Sequence, residues 1–400
     1  MERNLITSLA TTTQSKIILV VFDGLGGLPK NQGEGTELET AHTPNLDALA
    51  ARSVCGLVDP ISMGITPGSG PAHLGLFGYD PLQYEIGRGI LSALGVDFDL
   101  KPSDVAARIN FAQADAQGNI IDRRAGRIPT EKNRQLCELL SQIHIEGVEI
   151  FLRPEKEHRA AIIFRGADLS GQLSDTDPQK TGVPPRQVEP LTAEAHRTAE
   201  MVNQFVKEAQ RILSREEKAN MILLRGFDKY EAIPGYSDRY RLKAAAIATY
   251  PMYRGLARLL GMTVLPTGDT IRDEFETLTQ FYQQHDFFFL HIKKTDSMGE
   301  DGNFEGKVKV IEEADQCFPY LLKLQPDVIA VTGDHSTPSV LKSHSWHPNP
   351  VLLYSEFCRP DQVRSFSESA CIHGGLGRFP ALHLMPLMMA NALKLEKYGA

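Results

Sequence analysis

The chain has 400 residues, of which 42% are hydrophobic and 23% are charged, and its formal net charge at pH 7 is -8. This length and composition predict an ordinary globular protein of about two domains. The acidic balance excludes a general electrostatic attraction to nucleic acid or to anionic membranes, so any phosphate-binding site must be a local basic pocket.

The cysteines and the amino-terminal residues indicate the cellular compartment of the protein. The five cysteines are scattered, odd in number and without C-x-x-C spacing, which predicts reduced thiols in a cytosol and not a disulfide framework or a zinc ribbon. Residues 1–15 are polar, and the apolar run after them spans only residues 17–22, so no signal peptide or membrane span is recognisable. We therefore expect a cytoplasmic protein without nucleic-acid or membrane partners, and we leave open whether it is a homo-oligomer.

The first predicted element is a strand at residues 17–22. Its unbroken apolar run, bounded by the glycines within residues 24–27, is typical of a central parallel strand buried on both faces. Asp23 follows this strand directly. Ligands of open α/β sheets bind at the carboxyl ends of strands, and an unpaired buried charge is costly, so we expect a cationic group opposite Asp23.

A helix start and an open serine come next. Thr43 and Pro44 form a typical helix N-terminus. Farther along, Ser69 lies between two glycines, immediately before a helix that Pro71 is predicted to start. Small neighbours leave its hydroxyl open to close approach, which suits a nucleophile activated by a metal ion, although a plain N-cap serine has the same pattern. His73 follows on the same helical face, either as a donor to phosphate or as an ordinary surface histidine.

From about residue 101 the pattern changes to short strands and one long amphipathic segment. The strands are predicted at residues 107–111, 149–153 and 160–165, and the amphipathic segment is predicted at residues 192–214. They indicate a smaller α+β domain, residues 101–235, inserted into a core made of residues 1–100 and 236–400. Its arginines are suited to bind carboxylate or phosphate, although any one of them alone is more simply a solvated surface residue.

The alternating pattern of the core resumes after about residue 236. Residues 221–224 before it are a credible strand, and residues 242–261 are predicted to be helical with a break at Pro251. The core is therefore expected to be discontinuous in sequence.

Two later strands repeat the design of the first. The apolar stretch at residues 286–296 delivers Asp296 just past its end, and the stretch at residues 326–335 delivers Asp334 and His335, with His344 in a loop soon after. Carboxylates crowded at one sheet edge repel one another unless a divalent metal ion lies between them. Each aspartate alone would more simply cap a helix, but three such strand ends, one with an adjacent histidine, favour a metal centre.

These stretches together resemble the archaeal-type, cofactor-independent (2,3-bisphosphoglycerate-independent) phosphoglycerate mutases of the alkaline phosphatase superfamily. The motifs that carry the resemblance are Phe22-Asp23-Gly24, Thr66-Pro67-Gly68-Ser69-Gly70, Gly78-Tyr79-Asp80-Pro81, Asp122-Arg123-Arg124-Ala125-Gly126-Arg127, Ser174-Asp175-Thr176-Asp177-Pro178, Leu224-Arg225-Gly226 and Thr332-Gly333-Asp334-His335-Ser336-Thr337-Pro338. The resemblance implies an α/β fold with an alkaline-phosphatase-like three-layer core on a mainly parallel sheet, plus the inserted α+β domain.

The resemblance also implies two divalent metal ions and no requirement for 2,3-bisphosphoglycerate. Manganese is the expected metal, with zinc, cobalt and magnesium as alternatives. The ligands implied for one ion are Asp23, Ser69, Asp334 and His335, and those for the other are Asp296, His344 and the position four after Asp296. Ser69, ionised by its metal, would attack the substrate phosphorus to form a phosphoserine, and the reoriented glycerate would take the phosphoryl group on its other hydroxyl.

The sequence departs from the family pattern at this last ligand. The family usually has a histidine four residues after the aspartate, and here the position is Glu300. A carboxylate can still bind a metal ion, but it adds negative charge and hardens the site, which favours manganese or magnesium.

The inserted domain has a clear role in the implied mechanism, because a mutase must exclude water while its substrate reorients. The candidates for binding the phosphate and carboxylate of the substrate, besides His73, are Arg108, Arg123, Arg124, Arg127, Arg225 and Arg254, with Lys243 as an alternative to Arg254. The expected activity is interconversion of 3- and 2-phosphoglycerate in glycolysis and gluconeogenesis. The alternatives are a related phosphohydrolase or phosphotransferase acting on another small phosphorylated acid or amino acid, and a degenerate metal-binding scaffold with a regulatory partner.

Overall fold

The computed structural model describes residues 2–399. The chain folds as two compact units. The large unit contains the residues up to Glu85, the segment Pro234–Tyr250 and the residues from Leu260 onward, and the small unit contains Ile86–Ile233 and Pro251–Leu259. A substrate-binding or lid role for residues 101–235 stays a prediction.

The strands are numbered in chain order. They are β1 (Ile17–Phe22), β2 (Val54–Asp59), β3 (Val105–Ala114), β4 (Ile120–Asp122), β5 (Glu149–Pro154), β6 (Arg159–Arg165), β7 (Met221–Lys229), β8 (Ala244–Ile247), β9 (Thr263–Val264), β10 (Phe287–Ile292), β11 (Val328–Gly333), β12 (Asn349–Ser355) and β13 (Gly377–Pro380). The α-helices are α1 (Glu2–Leu9), α2 (Glu37–Thr40), α3 (Pro44–Ala50), α4 (Ser69–Leu76), α5 (Arg88–Gly95), α6 (Thr130–Leu140), α7 (His196–Leu213), α8 (Tyr236–Tyr240), α9 (Pro251–Leu259), α10 (Ile271–Phe281), α11 (Lys294–Glu300), α12 (Phe304–Leu322), α13 (Glu368–Cys371) and α14 (Leu384–Asn391).

The large unit is built on an eight-stranded sheet with the strand order β13-β2-β12-β11-β1-β10-β8-β9. Only β12 runs antiparallel to its two neighbours, so the sheet is mainly parallel, as predicted. Strand β1 lies between β10 and β11 and is parallel to both, with Phe22 opposite Ile292 and Gly333. The carboxyl ends of these three strands therefore lie side by side.

Helices cover both faces of this sheet, which confirms the predicted α/β class. All six residues of β1 are fully buried, as expected for a central parallel strand. Ile18, Val20 and Phe22 pack in one apolar cluster with residues of α10 and α12. On the opposite face, the ring of Phe289 in β10 packs against Phe77, at the C-terminus of α4.

The small unit is an α+β structure. Its five-stranded sheet has the order β4-β3-β6-β5, with β7 also paired to β3, and every pairing is antiparallel. Helix α7 confirms the amphipathic segment predicted at residues 192–214, and its buried face joins the apolar core of this unit.

Two sequence predictions need correction. The predicted helix at residues 242–261 is wrong in its first half, because Ala244–Ile247 forms strand β8 and pairs with β10. A short apolar run has no periodicity that separates a strand from a buried helix, and here pairing in the sheet decides. The helix predicted to start at Pro71 begins at Ser69, with Gly68 as its N-cap. None of the described helices is both long and apolar enough to cross a bilayer.

Candidate metal centre

The edge of the large sheet collects the polar residues that follow β1, β10 and β11. Asp23 follows β1, Asp334 and His335 follow β11, and Asp296 lies in the first turn of α11, just after β10. Asp23, Asp334 and His335 are fully buried, and Asp296 is 2% exposed. Three neighbouring parallel strands end here, so their terminal side chains meet although the residues lie far apart in sequence.

Asp23, Asp334 and His335 form the first group, whose potential ligand atoms all lie within 4.8 Å of one another. The Nε2 atom of His335 lies 3.2 Å from Oδ1 of Asp23 and 3.2 Å from Oδ2 of Asp334. The hydroxyl of Ser69 lies 3.2 Å from the same Nε2 atom. The structure therefore brings together the four residues that the resemblance assigns to one ion.

Asp296, His335 and His344 form the second group, also within 4.8 Å. Nε2 of His344 lies 3.6 Å from Oδ1 of Asp296, and the rings of His335 and His344 stack with centroids 3.6 Å apart. Nδ1 of His344 lies 2.9 Å from the carbonyl oxygen of Pro67, which can only accept, so Nδ1 carries the proton. Nε2 of the neutral ring is then available as a ligand.

Glu300 stands apart from this arrangement. Among the described residues, neither group includes it, and its side chain is exposed at the end of α11. His335 takes part in both groups, whereas the resemblance divides the ligands into two separate sets. A metal-binding role for Glu300 stays a prediction.

The electrostatics of the first group fit a divalent cation. Burial, and then repulsion by Asp23, raises the pKa of Asp334 well above its usual value. Oδ2 of Asp334 is buried and accepts no hydrogen bond from any described residue. A cation between these oxygens would relieve both the repulsion and the lost solvation, and carboxylate and imidazole donors together can hold a divalent metal ion.

Lys293 supplies the cationic group expected opposite Asp23. Its Nζ lies 3.0 Å from Oδ2 of Asp23. Burial opposes the charge of Asp23, yet the neighbouring Lys293 holds the pKa of that carboxyl well below its usual range, and the adjacent rings of His291 and His335 lower it further. Sequence reasoning anticipated a cation but did not name Lys293, although the residue lies between β10 and the metal-ligand candidate Asp296.

Two buried histidines, His73 and His291, lie against the carboxylates of the first group. Nδ1 of His73 donates to the carbonyl oxygen of Ser69 at 2.8 Å, and Nε2 of His291 lies 3.4 Å from Oδ2 of Asp23. Burial, and then the neighbouring His291, lowers the pKa of His73 to about 3, so this ring is neutral at pH 7. His73 is fully buried, and its candidate role in substrate binding stays a prediction. His291 was missed because a histidine inside an apolar strand carries no signal of its own.

The arginine candidates lie in the small unit, where acidic partners hold two of them. Arg123 donates to both carboxylate oxygens of Asp177, at 2.9 and 2.6 Å. Nε of Arg225 lies 3.6 Å from the same carboxylate, and Arg225 is paired with Arg108 across β7 and β3. The guanidinium groups of Arg123 and Arg225 therefore share one buried counter-ion.

The remaining arginine candidates lie at two separate positions in the small unit. Arg124 and Arg127 are exposed. Burial, and then Arg159, lowers the pKa of His158 to about 3, and Arg124, Arg108 and Arg127 lower it further. Positive charge is therefore concentrated around that ring. Arg254 lies on α9 instead and pairs with Asp97 at 3.3 Å. Substrate binding by these arginines stays a prediction.

Comparisons with known proteins identify the family of this chain. The family profile described as 2,3-bisphosphoglycerate-independent phosphoglycerate mutase matches residues 50–220. A probable mutase of that name from Aquifex aeolicus is 50% identical over 99% of this chain and 100% of its own length, and one from Thermus thermophilus is 50% identical over 98% of both chains.

Solved structures support the same relationship over nearly the whole chain. The PH0037 protein from Pyrococcus horikoshii has a TM-score of 0.84 at 30% identity and covers 97% of this chain and 100% of its own. The cofactor-independent phosphoglycerate mutase from Thermoplasma acidophilum has a TM-score of 0.71 at 34% identity and covers 94% and 100%. The chain therefore belongs to the enzyme family of the 2,3-bisphosphoglycerate-independent phosphoglycerate mutases.

Proposed function

We propose that this chain interconverts 3-phosphoglycerate and 2-phosphoglycerate through a phosphoserine at Ser69, with divalent metal ions at the candidate metal centre. The observation that carries the proposal is the position of the Ser69 hydroxyl, 3.2 Å from Nε2 of His335, which itself lies 3.2 Å from the carboxylates of Asp23 and Asp334. A serine held against potential metal ligands is placed to become a nucleophile, and family membership makes phosphoglycerate the expected substrate.

The protein's own groups account for the placement of the reacting atoms. Ser69 is partly exposed between Gly68 and Gly70 and is the first residue of α4, so its hydroxyl is open to a substrate and the helix N-terminus favours negative charge beside it. The neutral ring of His73 donates to the carbonyl oxygen of Ser69 and so helps to fix the position of this residue. When bound, the metal ions would lower the pKa of the Ser69 hydroxyl and offset the charge that develops on the transferred phosphoryl group.

The proposed reaction has two balanced steps. In the first step the Ser69 hydroxyl loses its proton and its oxygen bonds to phosphorus, while the bond from phosphorus to the glycerate oxygen breaks and that oxygen takes a proton. In the second step the other hydroxyl of the glycerate loses its proton and attacks the phosphoserine, and the Ser69 oxygen leaves and takes back a proton. The arginine candidates of the small unit are proposed to bind the phosphate and the carboxylate of the substrate, because guanidinium groups pair with both anions through two hydrogen bonds.

A single experiment tests the reaction and separates it from hydrolysis. The protein is stripped of metal with a chelator, reloaded with Mn²⁺, Zn²⁺, Co²⁺ or Mg²⁺, and given 3-phosphoglycerate while phosphorus NMR follows 2-phosphoglycerate and inorganic phosphate. We expect 2-phosphoglycerate without release of phosphate, with Mn²⁺ as the most effective ion. Ser69→Ala should lower the rate by about 10³-fold or more, whereas Ser8→Ala, at an exposed serine of α1, should not.

Other outcomes would redirect the assignment. Release of phosphate without 2-phosphoglycerate would indicate the related phosphohydrolase, and full activity in Ser69→Ala would remove the phosphoserine step.

Five free cysteines support the further proposal that the enzyme works in a reducing compartment such as the cytoplasm.

A further inference from the structure

Thr337 connects the two groups of the candidate metal centre. This fully buried residue follows β11, two positions after His335. Its hydroxyl lies 2.7 Å from Oδ1 of Asp296 and 3.0 Å from Nδ1 of His335. Asp296 belongs to the second group, and His335 belongs to both. A single side chain that is not itself a candidate ligand therefore contacts the centre on two sides.

The protons of these contacts can be assigned one by one. A carboxylate can only accept, so the Thr337 hydroxyl donates its single proton to Asp296. The same oxygen then has only lone pairs for His335, and Nδ1 of His335 must be the donor. A neutral imidazole carries one N–H, so Nε2 of His335 is left with a lone pair.

That lone pair faces the atoms where a metal ion is expected. Nε2 of His335 lies 3.2 Å from each of Asp23 Oδ1 and Asp334 Oδ2. With the opposite tautomer, a proton on Nε2 would lie where the ligand set needs an open electron pair. Partners of this kind, which hold the far nitrogen of a ligand histidine, orient the ring and fix its tautomer.

The backbone around Thr337 holds its hydroxyl in this position. The Thr337 amide donates to the carbonyl oxygens of Gly24 and Gly26, at 3.3 and 3.0 Å. Nζ of the fully buried Lys307 donates to the carbonyl oxygens of Thr337 and Gly26, at 2.9 and 3.0 Å. A Cβ atom at Gly24 would lie 2.5 Å from the Thr337 hydroxyl, and Gly24 also has a φ of +63°, so glycine is required beside it.

We propose that Thr337 is the positioning residue of this centre, which orients Asp296 and fixes His335 as the tautomer with an open Nε2. The inference rests on the proposal that the centre binds divalent metal, and it assigns a role to a residue outside the ligand set. The hydroxyl, and not the bulk of the side chain, carries this role. Thr337→Val keeps the shape and removes the hydroxyl, whereas Thr337→Ser keeps the hydroxyl and removes a methyl group, so the two variants separate polarity from packing.

The test reads the tautomer directly in the metal-free protein. Histidines are labelled with ¹⁵N, long-range proton–nitrogen NMR spectra report which ring nitrogen carries the proton, and His335→Gln identifies the His335 signals. We expect the Nδ1–H tautomer in the native chain and in Thr337→Ser, and loss of that single tautomer in Thr337→Val. Titration of the same proteins with Mn²⁺ should show affinity about 10- to 100-fold weaker for Thr337→Val, with Thr337→Ser within about threefold of the native chain.

Two results would overturn the proposed role of Thr337. A native chain with the proton on Nε2 of His335 overturns the proposal, even if Thr337→Val fails to fold. A Thr337→Val protein that keeps the Nδ1–H tautomer and the native Mn²⁺ affinity also overturns it and leaves Thr337 a packing residue. Because neither measurement uses substrate, a chain with the expected tautomer and metal affinity but without mutase activity would count against the proposed function only.

Discussion

The ammonium group of Lys293 joins Asp23 to Asp296, with Nζ 3.0 Å from Oδ2 of the first and 2.5 Å from Oδ2 of the second. Asp23 belongs to the first group of the metal centre and Asp296 to the second. Burial alone would lower the pKa of Lys293, but the two carboxylates raise it above its usual value, so the side chain is charged at neutral pH. The metal-free chain thus has an internal cation between carboxylates that would otherwise repel one another.

Lys293→Met should destabilise the metal-free protein and should increase the stabilisation that metal binding provides. Removing one partner of a buried charge pair leaves the others uncompensated, so the metal-free variant should lose about 3 kcal/mol in its free energy of unfolding. Added Mn²⁺ should then stabilise the variant more than the native chain, because the ion no longer binds beside an ammonium group. Urea unfolding with and without Mn²⁺ measures both effects.

Lys294→Met is the matched control, since the neighbouring lysine is exposed. It should stay within about 0.5 kcal/mol of the native chain in both conditions. An equal loss in both lysine variants would show that Lys293 has no special part in the centre.

The positions of His344 and Glu300 in the structure favour His344 over Glu300 as a metal ligand, in contrast to the ligand role that the family resemblance implies for Glu300. Nε2 of His344 lies 3.6 Å from Asp296, whereas Glu300 is exposed and outside both groups. We expect His344→Ala to weaken binding of one Mn²⁺ ion at least about tenfold, and Glu300→Gln to change it by less than about twofold. Calorimetric titration of the metal-free proteins provides the affinities. A tenfold loss in Glu300→Gln would instead support the ligand role assigned from the sequence.

Much of this fold could be predicted because its main signal is local. The apolar run of β1 has the predicted limits, Ile17–Phe22, and the parallel strands β10 and β11 follow the same pattern. A carboxylate after each buried strand indicated that Asp23, Asp296 and Asp334 would meet at one sheet edge. Strand β8 was mistaken for helix because four apolar residues carry no usable period.

The contacts that tune the centre could not be predicted, because they depend on side-chain directions between distant segments. Thr337 contacts Asp296 from 41 positions away, and Lys307 reaches the carbonyl oxygen of Gly26 across 281 positions. Likewise, the pairing of Arg108 with Arg225 depends on the register of two antiparallel strands. Residue type and spacing indicate which groups carry the chemistry, but only the fold determines which groups hold them.

Arg123→Lys should destabilise the protein although it keeps the charge. Arg123 donates to both oxygens of Asp177, whose side chain is fully buried, and lysine cannot reproduce this planar pair of hydrogen bonds. We expect a loss of about 2 kcal/mol in the free energy of unfolding, measured in urea. Arg134→Lys is the control, because Arg134 pairs with Glu131 on an exposed helix face and should change stability by less than about 0.5 kcal/mol. Equal effects in the two variants would contradict the structural role of the Asp177 pair.

Glu368 should make stability fall as pH rises toward neutrality. Its carboxylate accepts hydrogen bonds from the amide of Gly27 at 2.9 Å and from the hydroxyl of Thr36 at 2.8 Å. Burial nevertheless raises the pKa of Glu368 from 4.5 to about 7, with repulsion by Glu39 adding to the rise and Lys307 as a nearby cation. Because the folded state holds this proton more tightly than the unfolded state, the stabilising contribution is complete below pH 4.5 and is lost as pH rises through about 7.

Glu368→Gln isolates this contribution, since a glutamine side chain is neutral at every pH and can still accept from the Gly27 amide. Between pH 4.5 and pH 8, the stability of the variant relative to the native chain should improve by about 3 kcal/mol, the free energy of the pKa difference. Urea unfolding of both metal-free proteins at half-unit pH steps gives this difference curve, and Glu356→Gln, at an exposed glutamate, should give a flat one. A flat curve for Glu368→Gln as well would mean that the Glu368 carboxyl group is solvated in the folded protein, because burial is the main cause of its raised pKa.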